Sequence, residues 1–194
     1  IKMLKSLSNL PYSIAIPKIE SADECRNFLK DLGTNILVLP QIETPRGIAT
    51  VESWDCSNIE FSGIGFGSAD YCASTGGDMG KASLAYGRGK IINAAALYNA
   101  AALDGVWLDF RDPDGCREET KYVKTMGFKG RFAIHPDQIK PIHDAYRPTN
   151  EELEWAKGVL EEAKTAGTGA FKYQGKMVDA PVLAVARQII SRED

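Results

Sequence analysis

Five short runs rich in Ile and Val punctuate this chain, and single segments of helical periodicity separate them. The runs are Ser13–Pro17, Asn35–Ile42, Glu60–Gly67, Gly105–Phe110 and Arg131–His135. Between them, Ala22–Leu32, Thr44–Trp54, Gly89–Leu103 and Glu118–Met126 repeat their apolar positions at the spacing of a helix. Strands joined by one helix each must lie parallel, because a hairpin turn cannot return the chain in the same direction. Thr44 and Pro45 mark a helix start, a cap followed by a residue whose missing N–H would have no partner there. The alternation predicts an α/β fold with a parallel sheet, either open and doubly wound or closed into a barrel. At 194 residues the chain can bury one sizeable core.

The residues that follow each run favour the barrel. They are Lys18, Glu43, Asp70, then Arg111 with Asp112 and Asp114, and finally His135. An open sheet concentrates its chemistry at one switch point, whereas a (β/α)8 TIM barrel spreads it over every strand end. A closed barrel needs about three more βα units than the five seen, and these are expected before Ile1. After Tyr146 the pattern changes. "RPTNEELEWAKGVLEEAKTAG" is an amphipathic helix with Thr149 or Asn150 as its cap. "TGAFKYQGKMVDAPVLAVARQIISR" reads as a glycine-containing loop or hairpin and a last helix from about Ala180. Two domains are expected: residues 1–147, a partial TIM barrel, and residues 148–194, a C-terminal helical lid.

Composition removes some partners. A net charge of −3 argues against nucleic acid or an anionic membrane. No apolar run approaches the roughly 20 residues of a transmembrane helix. Cys25, Cys56, Cys72 and Cys116 are widely spaced with no CxxC pair, so free thiols in a reducing cytoplasm are expected.

Glu43 and Asp70 carry the strongest chemical signal. Adjacent parallel strands lie about 4.8 Å apart, so carboxylates at two strand ends can reach one ion. Two oxygen ligands with open positions suit Mg²⁺, which completes its shell with water and substrate. The plainer reading makes each a helix cap, Glu43 before Pro45 and Asp70 after "GFGS". The glycines of "GIGFGSADYCASTGGDMG" could cradle a phosphate, but there is no GKS or GKT and no fitting acidic strand end downstream; keeping a strand end open for a ligand is the better account. Lys18 is either a Schiff-base lysine or, more simply, a cation facing an anionic substrate or a surface carboxylate. His135 is a base, a ligand or a hydrogen-bonded structural residue, and with His143 the only other histidine a histidine-rich metal site is excluded. Cys72 lacks a base and reads as packing. Asp179, beside Pro181, reads on its own as an N-terminal cap.

Taken in order and spacing, "LPQIETPRGI", "GFGSADYCASTG", "MGFKGRFAIHPDQI" with "RPTNEELEWA", and "GKMVDAPVLAVARQI" resemble the citrate lyase beta-subunit-like enzymes of the HpcH/HpaI aldolase superfamily, which include malyl-CoA and citramalyl-CoA lyases. The resemblance runs from "IPKIESADE" to the last helix. It implies a Mg²⁺-dependent carbon–carbon lyase. Such an enzyme cleaves a malyl-, citramalyl- or citryl-type 3-hydroxyacyl-CoA thioester into an acyl thioester and a 2-oxo acid. By matching motifs, Glu43 and Asp70 would be the metal ligands, and Asp179 the catalytic acid on a lid that reaches a neighbouring subunit. His135 and Pro136 would fall where the CoA portion is held. A homotrimer or a multiple of it follows from the same resemblance. Members of the family begin with βα units, an acidic strand end and a substrate-gripping Arg, all of which precede the first of these motifs. Two other readings stand beside this one: a metal-dependent 2-oxo-acid aldolase without CoA, and a non-catalytic binding or assembly subunit.

Overall fold

The computed structural model describes residues 1–167 and 169–193. Thr168, in the stretch read as a loop, and Asp194, the last residue of the expected lid, lie outside the described residues. The chain divides into two compact units, Ile1–Tyr146 and Arg147–Asp194.

The first unit is built on a five-stranded parallel sheet in chain order: β1 (Ser13–Ile16), β2 (Leu37–Ile42), β3 (Ile64–Phe66), β4 (Ala102–Asp104) and β5 (Gly130–Arg131). A short helix α1 (Lys2–Lys5) precedes it. Helix α2 (Ala22–Leu32) links β1 to β2; α3 (Pro45–Thr50) and a 3-10 turn (Val51–Ser53) link β2 to β3. Helices α4 (Ser68–Thr75) and α5 (Lys81–Leu97) precede β4, α6 (Pro113–Met126) precedes β5, and α7 (Ile139–Tyr146) closes the unit. Helix α2 has the span its periodicity predicts. Ala22, Cys25, Leu29 and Leu32 form its buried stripe, and Gly33 ends it in a left-handed conformation with φ 81°. Helix α3 starts as expected, with the Thr44 hydroxyl accepting from the Gly47 N–H at 3.0 Å.

Along β2 burial alternates. Val38, Pro40 and Ile42 are buried, while Leu37, Leu39 and Gln41 are only half-buried. The buried side joins Ile48, Val51, Ile64, Phe66, Leu84, Ile91 and Phe128 in one core. Each such side chain contributes about 1.5–3 kcal/mol of burial, so this face holds the unit together. The strand neighbours and registers, Ile14 against Val38, Gln41 against Gly65, Leu103 against Gly130, bring all five strand ends to the same side.

Four expectations require correction. The fourth strand is Ala102–Asp104, not Gly105–Phe110, and the helix before it is Lys81–Leu97, not Gly89–Leu103. The helix stops because Tyr98 caps it and Asn99 turns left-handed at φ 51°. The fifth strand is Gly130–Arg131 rather than Arg131–His135, and α6 starts at Pro113, where Asp112 accepts from the Gly115 N–H at 2.8 Å.

In the second unit, α8 (Asn150–Ala166) begins with a capping box: the Thr149 hydroxyl accepts from the Glu152 N–H and the Glu152 carboxylate from the Thr149 N–H. Strands β6 (Phe171–Tyr173) and β7 (Lys176–Val178) form a hairpin whose two turn residues, Gln174 and Gly175, have φ 47° and 78°. Helix α9 (Ala180–Ile190) follows. Ala156, Val159, Val178 and Ala186 are the unit's own small core. No helix among the described residues is long and apolar enough to cross a membrane.

Candidate functional site

Glu43 is the first residue past β2 and is 6% exposed. The Lys18 N–H donates to its Oε1 at 2.8 Å. Gly67, the first residue past β3, lets the acid lie there: a Cβ on Gly67 would sit 2.2 Å from the Cβ of Glu43. Asp70 follows in the first turn of α4. It is not the cap of that helix, as the plainer reading had it. The cap position belongs to Gly67, which supplies no side chain. The Lys18 ammonium lies 3.3 Å from Asp70 Oδ1, with both side chains more than half exposed. Lys18 itself takes φ 55°, a left-handed conformation that a lysine seldom adopts. Burial pushes the Glu43 carboxyl above its ordinary range. The Lys18 N–H opposes that shift, the charge of Asp70 adds to it, and the Lys18 ammonium also opposes it.

Glu43 and Asp70 line one cleft of about 280 Å³, together with Gln41, Ser68, Phe132 and Ile134. The Ser68 hydroxyl is buried there with no hydrogen-bond partner. His135 stands outside that lining. Its Nδ1 accepts from the Asp137 N–H at 3.2 Å, capping a 3-10 turn (Pro136–Gln138) of which Pro136 is the first residue. Its ring stacks on Phe110 at 4.7 Å, and the Arg111 guanidinium lies 5.3 Å from the Phe110 centroid. Asp179 lies in the second unit, where its carboxylate accepts from the Val182 N–H at 3.4 Å and caps α9. Cys72 is buried, its thiol directed to the Asp78 carbonyl at 2.8 Å, and burial raises its pKa; it packs. Lys18 faces a surface carboxylate, as its plainer reading expected.

Two features escaped the sequence. Asp104, fully buried at the end of β4, accepts from Arg88 Nε at 3.2 Å and from an Arg131 terminal nitrogen at 2.6 Å. Arg88 also pairs with Glu119 at 2.8 Å. Arg131 Nε donates to the Gly105 carbonyl at 2.9 Å, which fixes one wall of the cleft. Gln138, also buried, donates to the Trp107 carbonyl at 2.6 Å and accepts from the Ile134 N–H at 2.9 Å, tying the loops after β4 and β5 together. Nothing in the local pattern of "GRGK" or "AALDG" distinguishes these charges from solvated ones.

A family model described as HpcH/HpaI aldolase/citrate lyase matches residues 1–136, and one described as a C–C bond lyase of the TIM-barrel fold matches residues 89–194. This chain belongs to the HpcH/HpaI aldolase/citrate lyase family. The five parallel strands are therefore part of a TIM barrel. The mitochondrial citramalyl-CoA lyase of Mus musculus is 29% identical over 94% of this chain and 60% of its own length. A citrate lyase subunit beta-like protein of Mycobacterium tuberculosis is 33% identical over 97% of this chain and 70% of its own. The CitE protein of the same organism, solved with magnesium, acetoacetate and coenzyme A, is 31% identical with a TM-score of 0.77, covering 94% of this chain and 68% of that one. The chain thus spans 60% of the length of the citramalyl-CoA lyase it matches.

For this member of the citrate lyase family, the donor set fits magnesium. No group of three or more His, Cys, Asp or Glu that could hold a metal occurs among the described residues, so a cage built wholly from protein is not what the site offers. Two carboxylates on a half-open cleft match an ion that keeps several positions for water and substrate. Among the described residues the cation beside Asp70 is the Lys18 ammonium.

Proposed function

We propose that this chain supplies the metal-holding strand ends of a Mg²⁺-dependent carbon–carbon lyase. The substrate would be a 3-hydroxyacyl-CoA thioester of the malyl, citramalyl or citryl type, and the products an acyl thioester and a 2-oxo acid. The observation that carries this reading is the pair Glu43 and Asp70 in one cleft at adjacent strand ends. Magnesium, when bound, supplies charge that lowers the pKa of a coordinated hydroxyl and polarises a 2-oxo group. Glu43 and Asp70 would hold it. The Lys18 N–H holds Glu43 Oε1 at 2.8 Å, and Phe66, Val106 and Phe132 give the same cleft its apolar lining. His135 and Pro136, beside the Phe110 ring and the Arg111 cation, offer an aromatic and basic surface suited to the CoA portion. Asp179 is the acid–base group: in its protonated, carboxylic acid form it gives a proton to the thioester α-carbon on cleavage, and the carboxylate so formed removes one from the methyl on condensation. We assign it to the active site of a neighbouring subunit, in a homotrimer or a multiple of it. The four unbridged thiols support a reducing compartment such as the cytoplasm.

Glu43→Gln and Asp70→Asn each remove a ligand charge at nearly constant volume. Each is expected to lower Mg²⁺-dependent cleavage of malyl-CoA or citramalyl-CoA by about 10²-fold or more, with an unchanged circular dichroism spectrum. Full turnover in both variants at low Mg²⁺ would overturn the reading.

A further inference from the structure

We propose that Lys18 is an exchangeable counter-cation: its ammonium holds the place beside Asp70 until a divalent ion arrives, and then turns to the carboxylate of the 2-oxo acid. This rests on the metal reading above and adds to it a residue with two successive partners.

The geometry requires that the ammonium move. Its Nζ is 3.3 Å from Asp70 Oδ1, within the reach of an ion bound to that same oxygen, so a divalent cation and the ammonium would repel each other at close range. Only a weak tether holds the side chain: Nζ pairs with Asp70 at the surface, and 65% of the side chain is exposed. The backbone, by contrast, is fixed. Lys18 holds φ 55° while its N–H donates to Glu43 Oε1 at 2.8 Å, so the stem stays rooted between the two acids. A four-carbon stem on a fixed root can release Asp70 and still remain at the cleft mouth.

Charge counting gives the second partner. Counted as ionised groups, Glu43, Asp70 and Lys18 together carry one net negative charge, and a divalent ion turns that into one net positive charge. The two carboxylates then balance the ion, and the released ammonium is the charge left without an anion of its own, which is the setting that a carboxylate-bearing small molecule satisfies.

Two effects of opposite sign follow. Lys18→Met removes the competitor for Asp70, so Mn²⁺ titrated into the protein and followed by electron paramagnetic resonance should bind about fivefold more tightly, with the gain shrinking at high salt. The same variant, saturated with Mn²⁺, should bind pyruvate about tenfold more weakly in calorimetry, since its charged partner is gone. Lys18→Arg keeps the charge and should stay near wild type in both measurements. A merely structural lysine would weaken both affinities together or neither. If wild type binds Mn²⁺ and Glu43→Gln abolishes it, yet Lys18→Met changes neither affinity or only one, the exchange is wrong while the metal site stands. If wild type fails to bind Mn²⁺ at all, the metal reading falls and the exchange with it.

Discussion

Glu43 and Asp70 stand in one cleft for reasons that a local pattern can carry: each follows an apolar run, and the turn after each run offers a polar group to the same side of the sheet. That part of the site was legible. The closeness of Glu43 to Gly67 was not, because it depends on a register between β2 and β3 that no single segment encodes. Burial acts in the same way on Cys25, whose thiol is fully enclosed in α2 and pushed up to about 12, with smaller contributions from Cys56 and Glu24. Its value in the unfolded chain is near 9.0, so the folded state holds the proton more tightly. The associated stability is complete below pH 9.0 and is lost as the pH rises toward about 12. The unfolding free energy obtained from denaturant titrations upward from pH 9.0 should therefore fall in the wild type, by up to about 1.4 kcal/mol per pH unit from this group. Cys25→Ala should start lower, because of the cavity, and show a shallower slope. Equal slopes would remove Cys25 from the account.

Among the elements, helices with a full apolar stripe and a stop signal were readable, and β4 was not. The strand Ala102–Asp104 has three residues and ends in a buried acid, whereas Val106, Trp107 and Leu108 just beyond it imitate a strand while lining a loop. What makes Asp104 tolerable is distant in sequence: Arg88 from α5 and Arg131 from β5 converge on it. Burial alone would lower the pKa of Arg88, but Asp104 and then Glu119 hold its charge and raise it. Asp104→Ala would leave two enclosed guanidinium groups without their shared partner. The expected cost is about 3–5 kcal/mol, a large share of the stability of an ordinary domain. Thr149→Ala removes only a cap hydroxyl from exposed α8, at about 1 kcal/mol. Urea denaturation of the two variants should separate them clearly, and similar losses would mean that the Asp104 cluster carries less than its burial implies.

For the whole molecule, the leading expectation is that a lid carrying Asp179 completes the site of another subunit. Mixing inactive Asp179→Asn with inactive Glu43→Gln protein under subunit exchange should restore part of the activity, since some interfaces then join an intact metal site to an intact lid. Each variant alone should fall by about 10²-fold or more. A mixture that stays inactive although native mass spectrometry shows exchange would assign the lid to its own barrel. The barrel class was legible from the spread of polar strand ends, but the half-buried face bearing Leu37, Leu39 and Gln41 was not, because alternation in sequence does not say what covers the second side. The sheet order, β1 to β5 with each strand beside its predecessor, also bears on synthesis. A chain made from its N-terminus finds, for every new strand after β1, a pairing edge that already exists. Growth by accretion needs no late strand to insert between two early ones, so a ribosome-stalled nascent chain ending at Met126 should already protect the amides of β2 and β3 from exchange.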